Sequence, residues 1–266
     1  MSSLLLLGLG REAKSTWRFI QSQSDISKTV ASELNATNQV WLADEIKLDT
    51  LDPFWQNLIS TQQVAGYIQV GANQVPQHNQ FDVIVRSPGV PLKKINQTYR
   101  LSAKKLTSNT QLFFDWLQRR EQTQEKQPHI TTIGVTGTKG KSTTTAIIHA
   151  ALTAAVGDQR TFLGGNMGTP PLNLIEEIEA TELATEFAEP LYVILELSCH
   201  QLADLTISPN IAVVQNITPE HLDYYDTVEE YAQAKSSIAR YQKPGDTVFY
   251  FEKSKFAKQI ADLSAG

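Results

Sequence analysis

Cysteine is almost missing from this chain. Cys199 stands alone among 266 residues, which excludes an intrachain disulfide and any zinc cluster built on cysteine. Long apolar runs are missing too. The longest is five residues, Leu191 to Leu195, far below the ~20 that cross a bilayer, so no transmembrane span is expected. Nor is there an excess of positive charge. Twenty-three basic residues against 28 acidic give a net charge of −5, which argues against attachment to nucleic acid through overall charge but leaves room for a local anion site. The opening Met-Ser-Ser-Leu-Leu-Leu-Leu-Gly has no basic stretch ahead of its apolar residues, which break at Gly8. It does not read as a signal peptide, and a cytoplasmic protein is expected.

What is present describes a folded protein. Hydrophobic residues make up 41% and charged residues 19%, enough to build a core. At ~150 residues per domain the length suggests two domains. Strand-like and helix-like segments alternate throughout, which predicts α/β architecture with parallel sheets. In the first hundred residues, strands are expected at Leu4–Leu7, Val40–Ala43, Gly66–Val70 and Phe81–Val85, with helices at Glu12–Ser22 and Pro53–Gln62. A helix at Leu112–Arg120 and a polar connector follow. A second series then has strands at Ile130–Val135, Thr161–Gly164, Leu191–Leu197, Ile211–Ile217 and Thr247–Phe251, and helices at Lys141–Ala155, Leu172–Ala180 and Val228–Tyr241.

The most informative stretch is Ile133-Gly-Val-Thr-Gly137-Thr138-Lys139-Gly140-Lys141-Ser142-Thr143-Thr144. A β-branched strand runs into a glycine turn, and helix-forming residues follow at once. This is the setting a phosphate loop needs. Gly137 and Gly140 let successive N–H groups curl toward phosphate oxygens, and the helix N-terminus adds partial positive charge. Lys141 reaches terminal phosphates and the Ser142 hydroxyl suits Mg²⁺. Val135 stands where the strict Walker pattern has glycine.

Three clusters downstream carry further chemistry. Glu196-Leu-Ser198-Cys199-His200-Gln201-Leu202 ends a strand, where α/β sheets place ligands. Glu196 there is either a metal ligand or a partly exposed strand-end carboxylate. Cys199 and His200 are adjacent and, on extended backbone, point apart, so a packed cysteine is expected rather than a thiol nucleophile. Asn216-Ile-Thr-Pro-Glu-His221-Leu-Asp223 follows the next strand, and on its own His221 is an ordinary hydrogen-bonding histidine. On its own Lys235, in Tyr231-Ala-Gln-Ala-Lys235, is a solvated helix lysine.

Taken together, these four motifs in this order resemble the Mur ligases, ATP-dependent amide-bond-forming enzymes of peptidoglycan precursor synthesis. Most members carry Asn or His in place of Lys139. The resemblance implies ATP binding by Gly137, Thr138, Lys139, Gly140, Lys141, Ser142, Thr143 and Thr144. It also implies two Mg²⁺ ions held by Ser142, Glu196, His221 and Lys235, the last as a CO₂-derived carbamate, an oxygen donor of the kind Mg²⁺ prefers. Lys141, His221 and Lys235 would be catalytic, and Asn166 in Gly165-Asn166-Met-Gly168, with Ser198 and Gln201, would orient the donor substrate.

The first unit narrows the resemblance. Gly8-Leu-Gly10-Arg-Glu-Ala13 is a weak dinucleotide-type turn, and Asp44 lies 34 residues after Gly10 rather than ~20, which disfavours NAD. Ser87-Pro88-Gly89-Val-Pro91 resembles the turn of the branch that adds D-glutamate to UDP-N-acetylmuramoyl-L-alanine. There Gly8, Gly10, Ser87, Pro88 and Gly89 would hold the uridine diphosphate part. The organisation so implied is a Rossmann-like domain over residues 1–107 and a central P-loop-type ATPase domain over 108–266. That second domain would be incomplete, with no C-terminal acceptor domain for the D-glutamate. Two rival readings are a ligase for another amino acid and a non-catalytic nucleotide- or UDP-sugar-binding fragment.

Overall fold

The structure, a computed structural model, describes residues 3–22, 39–71, 76–123, 128–184, 189–220 and 224–266. The chain divides into two units, Met1–Leu112 and Phe113–Gly266. Among the described residues no helix is long and apolar enough to cross a membrane.

The first unit runs β1 (Ser3–Leu7), α1 (Arg11–Ser22), β2 (Gln39–Asp44), α2 (Pro53–Ser60), β3 (Gly66–Gln69), β4 (Gln80–Arg86), α3 (Leu92–Gln97) and β5 (Ser102–Ser108). Its five parallel strands lie in the order β3-β2-β1-β4-β5. Leu4 to Leu7 are all buried, as a strand covered on both faces requires. The strand order reverses between β1 and β4, so the turns after these two strands flank the crevice where such sheets take ligands.

α4 (Asn109–Thr123) leads into the second unit, which contains β6 (Ile130–Thr136), α5 (Lys141–Val156), β7 (Thr161–Gly165), α6 (Asn173–Ala184), β8 (Leu191–Glu196), α7 (Cys199–Leu202), β9 (Ile211–Val214), α8 (Val228–Lys235), α9 (Ser237–Arg240), β10 (Thr247–Tyr250) and α10 (Lys255–Ala261). Its strands are again all parallel, in the order β10-β9-β6-β8-β7. β6 is therefore central, and the loop it feeds opens in the middle of the sheet's C-terminal edge.

Four local expectations are corrected. β5 escapes a search for apolar runs because Lys104 and Lys105 interrupt it, and lysines are common on edge strands. The six-residue α3, entered through Pro91, is too short to show a period. β9 ends at Val214 rather than Ile217, because the Asn216 carbonyl accepts from Thr138 and the Ile217 N–H donates to Ser254 Oγ. The helix expected over 228–241 breaks at Ser236, the first of a serine pair, whose Oγ accepts from Arg240 Nε at 3.2 Å and Nη2 at 3.1 Å.

In the first unit, Trp55 of α2 is fully buried and its indole N–H donates to the Leu9 carbonyl at 2.8 Å, anchoring the turn after β1. Trp55→Phe keeps most of the apolar contact but leaves that carbonyl without its donor. It should lower the unit's stability by about 1–3 kcal/mol in urea unfolding followed by circular dichroism. An unchanged midpoint would show that the bond carries no stability.

Candidate functional site

The loop after β6 is shaped by what lies behind it. A Cβ on Gly137 would sit 2.7 Å from Gln215 Cβ, and one on Gly140 would sit 3.0 Å from Gln215 Oε1. Both glycines also have positive φ, 152° and 84°, a region that side chains disfavour. Gln215 thus forms a wall against which only glycine can turn, and its Nε2 donates to Thr144 Oγ1 on α5.

Between the glycines, buried Thr138 is stapled from several sides. Its N–H donates to the Asn216 carbonyl at 2.9 Å, and its Oγ1 donates to the Thr218 carbonyl at 3.1 Å. The same oxygen accepts from Thr218 N–H at 3.0 Å and lies 3.2 Å from the Tyr231 hydroxyl. Gly140 caps α5, whose first-turn N–H groups have no acceptor within the helix. Lys139 is exposed, Ser142 and Thr144 are half-buried, and Thr143 is exposed. Beside Lys139 a cavity of about 410 Å³ is lined by Gln215, Asn216 and the aromatic side chains of Phe249, Tyr250 and Phe251.

Two lysines meet on one loop carbonyl. Lys141 Nζ donates to the Gly137 oxygen at 3.1 Å and to the Thr138 oxygen at 2.8 Å. Lys235 Nζ donates to the same Gly137 oxygen at 3.2 Å. Lys235 is not the solvated helix lysine that its position alone suggests. It is 1% exposed and its Nζ lies 4.5 Å from the centre of the Tyr231 ring. Burial pushes the Lys235 ammonium down to about 8, with the Lys141 charge adding to the fall while Cys199 and Glu220 oppose it. Burial likewise raises the Tyr231 hydroxyl to about 12, so it stays protonated as a bridge between Thr138 and Glu220.

Glu196 comes to the same end of the sheet. Register pairs it with Val135 on one side and Gly165 on the other, one position short of the residue that leads into the loop. The carboxylate is 2% exposed. Its Oε1 accepts from Asn166 Nδ2 at 2.8 Å, and Asn166 N–H donates to the Glu196 carbonyl, also at 2.8 Å. Gly165 permits this closeness, since a Cβ there would lie 2.2 Å from the Glu196 carbonyl oxygen. Glu196 Oε2 is buried with no partner among the described residues. A buried carboxylate oxygen left bare is costly, and a cation is the partner that best relieves it.

Other candidates sit nearby in supporting positions. Ser198 and Gln201 form a capping box at the start of α7, with Ser198 Oγ donating to Gln201 Oε1 at 3.1 Å and accepting from Gln201 N–H at 3.2 Å. Cys199 and His200 lie on this helix rather than on extended backbone. Cys199 is buried, and His200 stacks against Tyr225. His221 lies outside the described residues. Among the described residues no three His, Cys, Asp or Glu side chains gather as a metal centre.

The substrate candidates of the first unit lie on its two crevice turns. Gly8 has φ +83°, its N–H donates to the Ala43 carbonyl at 2.9 Å, and its carbonyl accepts from Ser87 Oγ. Leu9 N–H is taken by Asp44 Oδ2 at 2.6 Å. Gly10 is exposed at the start of α1, Ser87 and Pro88 are half-buried, and Gly89 is exposed. Sequence reasoning passed over Gln215 and the bridging role of Tyr231. The four-residue spacing of Tyr231 and Lys235, which puts both on one helix face, was the available signal for the tyrosine. Nothing local marks Gln215.

Residues 135–265 match the family described as the Mur ligase middle domain. The chain is 33% identical over 229 residues to the UDP-N-acetylmuramoylalanine--D-glutamate ligase of Acetivibrio thermocellus, covering 84% of this chain and 42% of that protein. It is 47% identical over 114 residues to the enzyme of the same name from Symbiobacterium thermophilum, covering 43% and 23% respectively. Among solved structures, the UDP-N-acetylmuramate:L-alanyl-gamma-D-glutamyl-meso-diaminopimelate ligase from Neisseria meningitides aligns with a TM-score of 0.44 at 14% identity, over 99% of this chain and 76% of that one. The chain spans less than half the length of either curated relative.

The Lys235 environment makes stability depend on pH. Its folded value of about 8 lies below the ordinary 10.5, so across that window the unfolded chain binds more protons than the native one. Stability should therefore rise from pH 8 to 10.5 on account of this group. Lys235→Met should lose this component of the slope, read as the difference between the two proteins' unfolding midpoints at each pH. Parallel curves would mean that the amine is not desolvated.

Proposed function

Residues 135–265 are a Mur ligase middle domain, and on that premise we propose that the chain is the substrate- and ATP-binding part of a cytoplasmic ligase that joins D-glutamate to UDP-N-acetylmuramoyl-L-alanine. The observation that carries this reading is the meeting of Lys141 and Lys235 on the Gly137 carbonyl, inside a loop whose helix N-terminus faces outward. Lys141 shares its carbonyl acceptor with a second donor, so a bound polyanion can draw it away at little cost. The likeness to the D-glutamate ligases over 84% of the chain supports the choice of donor and acceptor.

In this reading ATP lies along Gly137 to Thr144, with Lys141 released from the loop carbonyls to the terminal phosphates. The cavity lined by Phe249, Tyr250 and Phe251 offers room for the rest of the nucleotide. The γ-phosphoryl group passes to the carboxylate of UDP-N-acetylmuramoyl-L-alanine, releasing ADP and forming an acyl phosphate. The D-glutamate amine attacks that carbonyl carbon, and the tetrahedral adduct expels phosphate and a proton to leave the amide. Positioning and charge neutralisation dominate such transfers, so the chain's task is to hold two anions together. Gly8, Gly10, Ser87, Pro88 and Gly89 hold the uridine diphosphate on the first unit. Asn166, Ser198 and Gln201 shape the donor side on the second.

The residues present fit Mg²⁺. Glu196 Oε2 is an orphaned buried carboxyl oxygen, Ser142 supplies a hydroxyl oxygen, and both are the hard donors this ion takes. Mg²⁺ would offset the phosphate charge, with His221 assigned as a further ligand by resemblance. Lys235 fits carbamate formation, in which a neutral amine adds CO₂ and loses a proton, turning a cation into an anionic oxygen donor. Lys235→Arg would keep the charge but not this chemistry.

Two experiments test the reading. Lys141→Ala should abolish ATP binding in calorimetry while UDP-N-acetylmuramoyl-L-alanine binding stays within about threefold, and equal loss of both would overturn the division of labour. With ¹³C-bicarbonate, the chain should show a carbamate carbonyl resonance that vanishes in Lys235→Arg. A spectrum without that signal would remove the modified lysine from the mechanism. Amide formation on addition of D-glutamate would exclude a binding-only role.

A further inference from the structure

Arg86 ends β4 with 0% exposure. A guanidinium keeps its charge under all ordinary conditions and carries five N–H donors, so burying it is costly unless acceptors are built around it. Here the acceptors belong to the turn that follows. Nη1 faces the carbonyl oxygens of Ser87 at 3.3 Å, Pro88 at 3.1 Å and Val90 at 2.9 Å. The same turn is closed by Val90 N–H donating to the Ser87 carbonyl at 3.0 Å. It is tied to β1 by Ser87 N–H donating to the Leu7 carbonyl at 2.8 Å.

Peptide planarity converts this clamp into a direction. In a trans peptide the C=O and the N–H of the next residue point opposite ways. Three carbonyls drawn inward to the guanidinium should therefore turn three N–H groups outward. Two of those peptides lead into Pro88 and Pro91, which have no N–H. The third leads into Gly89. Gly89 N–H is thus the single outward donor that the clamp creates, and it has no acceptor among the described residues. Gly89 itself is exposed, and a Cβ there would meet nothing within 4 Å, so a ligand has room beside the turn. The turn flanks the crevice where the strand order reverses, beside the Gly8–Gly10 turn to which Ser87 Oγ is bonded.

We propose that Arg86 is a positioning residue for nucleotide-sugar binding: by gripping the carbonyls of Ser87, Pro88 and Val90 it aims Gly89 N–H, over a buried positive charge, at the diphosphate. This rests on the reading of the first unit as the holder of the uridine diphosphate group. Lysine in its place would keep the charge, but its Nζ ends one bond short of the position of Nη1, from which all three carbonyls are reached, and lacks the guanidinium's fixed plane.

The test is titration of the ¹⁵N-labelled chain with UDP, in wild type, Arg86→Lys and Arg86→Met, following affinity and the Gly89 amide resonance together. Far-UV circular dichroism and the dispersion of each variant's amide resonances serve as the control for correct folding of the first unit. In wild type the Gly89 resonance should move on UDP addition. In Arg86→Met the affinity should fall about tenfold or more, the scale of a lost charge-assisted hydrogen bond, and the Gly89 response should disappear. Arg86→Lys should fall between the two. Should Arg86→Met fail to fold, Arg86→Lys decides, and wild-type affinity with an unchanged Gly89 response would overturn the clamp. The same result in a folded Arg86→Met would overturn it too, while leaving UDP binding intact. Failure of the wild-type chain to bind UDP would overturn the reading of the first unit and this proposal with it.

Discussion

Everything at the C-terminal edge of the second sheet depends on how the backbone between Val135 and Lys141 is held open. The chain itself supplies the contacts that a bound anion would otherwise have to impose. Gln215 stands behind both glycines, Thr138 is fastened to residues 216, 218 and 231, and the helix that follows begins at once. Since these bonds exist within the protein, the loop is preorganised, and binding need not bear the cost of ordering it. The Gly137 carbonyl is the point where this order is least comfortable, because it serves two ammonium groups at once.

A second tension sits on the neighbouring strand. Glu196 is buried and half satisfied, with one oxygen on Asn166 and the other bare. A half-satisfied carboxylate at the end of β8 and two lysines, Lys141 of α5 and Lys235 of α8, thus lie at the same edge of the sheet. The capping box of Ser198 and Gln201 keeps the turn after Glu196 from relaxing, since both side chains are committed to each other and to the helix start.

Much of this was legible in the sequence. Buried parallel strands announce themselves as β-branched runs, and β6 and β8 were visible for that reason. The glycine loop was visible because few backbones other than a phosphate cradle need Gly137 and Gly140 so placed ahead of a helix. Less could be read where the determinant is a tertiary contact. Lys235 looks like any helix lysine until Tyr231, Lys141 and the Gly137 carbonyl surround it. β5 was hidden because its lysines satisfy the needs of an edge rather than of a core. The early end of β9 arises from bonds to Thr138 and Ser254, distant residues whose approach no local pattern encodes.

The break of the helix at Ser236 leaves α8 as a short rod of eight residues carrying Tyr231 and Lys235 one turn apart. Both grip the same strip of backbone, one through the Thr138 hydroxyl and the other through the Gly137 oxygen. Any sliding or rolling of this rod must therefore act on two consecutive loop residues in concert. In mechanical terms α8 is a lever with two teeth, and whatever bears on its exposed side is geared directly to the glycine loop after β6.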